Sequence, residues 1–368
     1  MNRREKVKDL VDVRSFTHLR DFGADPGLTV SSYHFTDGTA DLMGKWIDRI
    51  AELKAGRGSA LALAGVRGVG KSHFLAVLAA LASRSEDRSR ITDPHILSRL
   101  ENLPKRPIPV AFVKRGSGET LMSELRTALA AAFSVNPKEL SDSLNDLLLK
   151  AYELANESPL IIFIDTAFGR ESRVDRDDGR LLSEIADAAR NIGLLVGIAL
   201  DDDVSGADGP NSSIAGTYQI DFLDQEHLYK IVARHIFPKN DAMLHVLKDI
   251  YSAYQSDIPG FKWSEQRFVP LYPMHPATLE ISPLVRLFIH DFALLGFASE
   301  AGMKIMGRPA DSLIGLDEMF RRVEPRLRKA PQLESAFRHF DKLDVDVVQK
   351  SSVQFRLKAK LILEGLFL

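Results

Sequence analysis

The 368-residue chain has no cysteine. That absence excludes disulfides, thiolate zinc sites and cysteine nucleophiles, and it suits a reducing compartment. The ten histidines form no H-E-x-x-H and no close pair at metal-ligand spacing, so the one metal to invoke is Mg²⁺ carried in by a nucleotide. No apolar run approaches the ~18 residues that cross a bilayer. The first residues, Met1-Asn2-Arg3-Arg4-Glu5-Lys6, are charged where a signal peptide would be apolar, and the expected location is the cytoplasm. Neither charge is in excess: 48 Lys and Arg face 50 Asp and Glu, a net −2 with a pI near 6.6. Bulk electrostatics therefore give no case for nucleic acid and leave only a local basic patch to consider. Internal repeats and low-complexity tracts are missing as well.

What is present suits a globular chain of two or three units, with 45% hydrophobic and 27% charged residues. One stretch stands out. Gly65-Val66-Arg67-Gly68-Val69-Gly70-Lys71-Ser72 fits the phosphate-loop pattern G-x-x-x-x-G-K-[ST], between the apolar run Ala60–Ala64 and an amphipathic run. Glycines 65, 68 and 70 let the backbone curl into an anion-binding nest at the positive end of a helix. Lys71 is expected on the β- and γ-phosphates of ATP and Ser72 on Mg²⁺, and the whole run from Gly65 to His73 is expected to bind the nucleotide.

Around that loop, strands alternate with helices, the signature of a parallel sheet covered on both faces. Strands are expected at 59–64, 108–113, 159–165, 194–200 and 217–222. Helices are expected at 71–83, 96–100, 118–134, 138–156 and 178–191, and a loop at 203–216. The run Pro159-Leu160-Ile161-Ile162-Phe163-Ile164-Asp165 looks like the second nucleotide motif, a buried strand ending in an acid that supports Mg²⁺. Many hydrolysing ATPases place glutamate after that acid; here the residue is Thr166, which makes hydrolysis less secure than binding. Glu171 or an acid of Asp201-Asp202-Asp203 is the substitute to consider. Asp201 also follows the fourth strand, where P-loop ATPases with an extra central strand place a γ-phosphate sensor.

Before the first strand, residues 1–55 read as a helical lead-in with helices at 5–20 and 38–54. Trp46 falls on the core stripe of the second, and Tyr33 and Phe35 have a claim on an adenine pocket. After the last strand the pattern is helical: 224–236, 241–255, a Pro- and aromatic-rich connector, then 277–296, 298–306, 311–329, 331–341 and 353–366. The expected fold is α/β, a P-loop NTPase core (56–222) of AAA+-like layout followed by an all-helical lid domain (223–368). Arg115, Arg267 and Arg286 are candidates for an arginine finger or lid sensor, and His275 for a lid residue. Arg321, Arg322, Arg326, Arg328 and Lys329 form the densest basic cluster, a possible DNA contact or a solvated face balanced by Asp317, Glu318 and Glu324.

Three segments together, Gly68-Val69-Gly70-Lys71-Ser72-His73-Phe74-Leu75, Tyr272-Pro273-Met274-His275-Pro276 and Leu313-Ile314-Gly315-Leu316-Asp317-Glu318-Met319-Phe320, resemble the large P-loop ATPases of phage-growth-limitation and BREX-type anti-phage defence systems. The resemblance implies phosphate and Mg²⁺ binding at Lys71 and Ser72, the second-motif role at Asp165, and a place in a defence complex or homo-oligomer. Members of that family are much longer, and with the apolar stretch 361–368 this leads us to expect an N-terminal portion of a longer protein. The leading expectation is an ATP-binding, ATP-hydrolysing module. A nucleotide switch that does not hydrolyse and a DNA-loading ATPase of initiator type are the alternatives.

Overall fold

Five short strands form one parallel sheet: β1 (Ser59–Gly65), β2 (Val110–Lys114), β3 (Ile161–Asp165), β4 (Leu195–Asp201) and β5 (Gln219–Phe222), in the order β2-β3-β4-β1-β5. The computed structural model describes residues 5–16, 23–66, 68–115, 119–156, 158–166, 176–201, 211–289 and 292–368. Every pairing is parallel, so both faces must be covered, which is why β3 is buried throughout and reads as an unbroken apolar run. The strand inserted between the loop-bearing β1 and β3 is β4, which sets Gly65 beside Asp201 and Asp165 beside Ala199. This is the α/β P-loop NTPase core of AAA+-like type, followed by a helical C-terminal region.

The chain forms two compact units, Leu19–His227 and Met1–His18 with Leu228–Leu368. In the first, the helix Asp37–Ala51 lays Trp46, Ile47 and Ile50 into the core. Trp46 stacks 6.5 Å from Phe163 and donates its indole N–H to Asp221 at 2.9 Å. At Gly197 the rings approach so closely that a Cβ would lie 2.6 Å from Phe163 and 2.9 Å from Trp46, which makes glycine obligatory. The helix Asn211–Thr217 occupies part of the expected 203–216 loop.

The expected lead-in is shared between the two units. Of the stretch expected to be a helix over 5–20, Val7–Leu10 alone is helical among the described residues 5–16, and 17–20 lie outside the described residues. Beyond it the chain runs extended, with Asp12 N donating to Pro238 O and Arg14 N to Ile236 O, both at 3.0 Å. The burial explains it: Val11 and Val13 are buried while Asp12 and Arg14 are exposed, a period of two.

The second unit is helical: Leu244–Asp257, Glu265–Leu271, Pro276–Phe288, Leu294–Ile305, Leu316–Leu327, Glu334–Leu343 and Val353–Phe367. Glu265–Leu271 lies where the connector was expected, held by burial of Phe268 and Leu271 despite Pro270 near its end. The expected 277–296 helix stops at Phe288. Two segments that carry the family resemblance are joined here. Ile314 N donates to Pro273 O (2.8 Å), His275 N to Ile314 O (3.0 Å), and the Tyr272 hydroxyl to Ala310 O (2.7 Å).

Candidate nucleotide site

Where β1 runs out at Gly65, the chain turns through the loop and enters the helix Lys71–Ser83. Gly68 and Gly70 have φ of 73° and 108°, a left-handed backbone that side chains resist. Gly65 is required for closeness, since a Cβ there would lie 2.5 Å from the Leu223 carbonyl oxygen. Leu223 N in turn donates to Ala64 O at 2.8 Å, so the chain leaving β5 presses on the base of the loop. Val69 is fully buried and anchors the loop's middle. Arg67 lies outside the described residues.

Lys71 is 3% exposed, and its ammonium donates back to Gly65 O at 2.5 Å and Val66 O at 3.1 Å. Its charge is thus held over the loop, at the first turn of the helix, where free N–H groups and the dipole favour an anion. Ser72 is half-buried and its hydroxyl has no hydrogen-bond partner among the described residues. Asp165, 1% exposed, ends β3 one strand beyond β4. Its neighbour Thr166 is also buried, and its hydroxyl donates to Ala199 O at 2.5 Å. The residue standing where glutamate is usual therefore clamps β3 to β4. Asp201 pairs through its backbone with Gly65; its side chain, like Glu171, Asp202 and Asp203, lies outside the described residues. Among those described, no cluster of three or more His, Asp or Glu could hold a metal by itself.

His73 turns sideways. Its Nε2 is 2.8 Å from Thr29 O and its ring meets Tyr33 edge-on at 4.9 Å, with Phe35 a further 4.9 Å from Tyr33. Burial raises the Tyr33 phenol far above its ordinary range. The two aromatic residues with a claim on the base are thus gathered at the first turn of the loop helix.

Sequence reasoning missed His227. The ring is buried, with Nδ1 2.5 Å from Asp224 O and a second hydrogen bond to the Val69 backbone. Burial lowers its pKa, and the two backbone contacts oppose that shift. A Cβ on Gly70 would stand 3.6 Å from its Nε2. The available signal was position alone: His227 follows β5 closely, at the carboxyl edge of the sheet where α/β folds bind ligands.

Other candidates are engaged elsewhere. Arg115 ion-pairs with Glu124 (2.5 Å) and Asp178 (2.7 Å). Arg267 stacks 3.6 Å over Tyr229, and buried Arg286 donates to Phe292 O at 2.8 Å. His275 caps the helix Pro276–Phe288 by accepting from Ala277 N at 3.1 Å. The basic cluster is largely neutralised: Arg321 meets Glu364 (2.7 Å), Arg322 meets Glu300 (3.3 Å), Arg328 meets Asp341 (2.8 Å), and Arg326 is also engaged. Three of these acids lie outside the helix that carries the arginines, beyond the reach of a local reading.

No family model and no curated protein matches the chain. Among solved structures it is similar to the ORC1 protein of Aeropyrum pernix in complex with DNA, at 14% identity over 87% of this chain and 69% of that one, TM-score 0.39. It is also similar to the ORC2 protein of the same organism in ADPNP–ADP complexes, at 11% identity over 97% and 91%, TM-score 0.39. A Walker-type ATPase of Pyrococcus abyssi matches at 13% identity over 94% and 93%, TM-score 0.35. Likeness at this level adds nothing to what the sheet order and the loop establish by themselves.

Proposed function

We propose that the chain is an ATP-binding, AAA+-like module that holds ATP with Mg²⁺ on the loop Gly65–Ser72 and turns it over slowly. The observation that carries this reading is Lys71, buried at the first turn of the loop helix with its ammonium on the loop carbonyls of Gly65 and Val66. A triphosphate would take that ammonium from the two carbonyls, while backbone N–H groups of the loop receive the phosphate oxygens. The hydroxyl of Ser72 and the carboxylate of Asp165 are hard oxygen donors of the kind Mg²⁺ selects. Bound with the nucleotide, the ion would neutralise charge on the phosphates. Tyr33 and Phe35 are the side chains to receive the base.

Slow turnover is favoured by Thr166, a neutral hydroxyl donated to Ala199 O at the position where a carboxylate would serve as base towards water. This brings the module close to a nucleotide switch. A DNA-loading role is not part of the proposal, because Arg321 and Arg322 already face Glu364 and Glu300. A place in anti-phage defence rests on the three resembling segments and would be tested by phage plating on cells carrying the intact gene or its Lys71→Ala form.

The test of the site is equilibrium binding of ATP and phosphate release by the purified chain. The expected result is saturable Mg²⁺-dependent ATP binding, weakened at least ~10-fold, or about 1.4 kcal/mol, by Lys71→Ala, with phosphate release abolished by Asp165→Ala. ATP affinity indifferent to Lys71→Ala would sink the assignment.

A further inference from the structure

The helix Val353–Phe367 is committed along one side only in its C-terminal half; on that same side Val353 and Leu357, nearer its start, are 84% and 65% exposed. Inward, Glu364 is 3% exposed and ion-pairs with Arg321, and Phe367 packs 4.4 Å from Phe337 and 5.2 Å from Phe320. At ~100° per residue, the opposite side carries Phe355, Ala359, Ile362 and Leu366, spaced four, three and four residues apart. Phe355, Ile362 and Leu366 are 54%, 62% and 77% exposed. That spacing is the apolar seam of a two-helix coil, and large apolar side chains presented in a row to water mark a binding face.

The charges beside the seam select its occupant. Arg356 and Lys358 flank it, one on each side. Lys358 has no acidic partner among the described residues, and Arg356 donates only to the uncharged carbonyl of Gln349. The acids of the turn packed against this helix are occupied, Asp344 by Gln349 and Asp346 by Lys350. A second copy of the helix, in either direction, offers Arg356 and Lys358 no carboxylate, since its single acid, Glu364, is buried in the pair with Arg321. The complement is an apolar seam with carboxylates on its flanks.

We propose that the outer face of Val353–Phe367 docks an acidic amphipathic helix of a partner protein, pairing along Phe355, Ala359, Ile362 and Leu366 with Arg356 and Lys358 facing the partner's Asp or Glu. This is independent of the nucleotide site. The probe is a fluorescent peptide of about three heptads with Leu in the seam and Glu on both flanks, compared with one carrying Lys on the flanks, each titrated with the full chain.

The Glu peptide is expected to bind saturably, at least ~10-fold more tightly than the Lys peptide and less tightly as salt rises. Ile362→Glu abolishes binding, and the double change Arg356→Glu with Lys358→Glu reverses the preference. Those two positions are exposed and stand clear of the Phe320–Phe367 packing, so the reversal is read on a folded chain. Failure of the Glu peptide to bind, or equal binding of both peptides, overturns the proposal. So does a concentration-dependent dimer lost in Ile362→Glu, which makes a second copy the occupant. Sedimentation with phosphatidylglycerol vesicles that Ile362→Glu abolishes overturns it in favour of a lipid surface.

Discussion

At the scale of single residues, Thr166 and His227 separate what a side chain is from what it does. Thr166→Val removes a buried hydroxyl from Ala199 O and is expected to cost about 1–2 kcal/mol in urea unfolding, with phosphate release changed less than ~2-fold because the hydroxyl does not serve the ligand. Thr166→Glu would bury a carboxylate and lower stability instead of raising turnover. His227 predicts a pH effect. Burial holds it, with His34 and His275, below the ordinary value of 6.5. The unfolded chain therefore takes up more protons just below 6.5, and stability is lost as the pH falls from there towards the folded values. His227→Gln keeps amide donors and cannot titrate, so the slope of unfolding midpoint against pH between 7 and 5 should flatten. An unchanged slope would remove His227 from the account. Lys71 and Asp165 were legible because their chemistry is written in adjacent residues; His227 was not, because the fold alone brings residue 227 to residue 69.

At the scale of elements, the strands and the loop helix follow the sequence within a residue or two, because a strand buried on both faces has no other pattern. Legibility failed where composition and burial disagree. Residues 258–276 look like coil from their prolines and aromatics, yet Phe268 and Leu271 find a core and draw a helix around themselves. The basic cluster failed in a different way, since its counter-charges come from other elements. The pair Arg321–Glu364 joins Leu316–Leu327 to Val353–Phe367 across 2.7 Å, as a charge contact without hydrogen-bond alignment at the buried Oε2. Arg321→Met strands that carboxylate and is expected to cost about 1–3 kcal/mol, discounted for a half-exposed arginine. Adding Glu364→Leu should recover most of it. A double variant no better than the single, by urea midpoint, would show that the pair does not hold the helices together.

At the scale of the molecule, a ligand that binds only the folded chain raises its stability, by about 2.7 kcal/mol at a hundredfold excess over Kd. For a unit the size of Leu19–His227 this is roughly 2–4 °C for each kcal/mol. ATP with Mg²⁺ should give such a shift in a thermal melt, and Lys71→Ala should remove it, each melt being compared with that of the same unliganded variant. The unit that carries the phosphate loop is continuous in the chain, but its companion is assembled from two ends: Glu5–Phe16 completes it, with Val7 N bonded to Arg308 O at 3.1 Å and Val7, Leu10, Val11 and Val13 buried. The phosphate-loop unit is thus inserted, along the chain, within the sequence of its companion. A polypeptide cut to begin at 228 would be born missing an edge, with an apolar slot open to whatever chain reached it first, and a synthetic peptide of residues 5–16 supplied separately should restore its solubility.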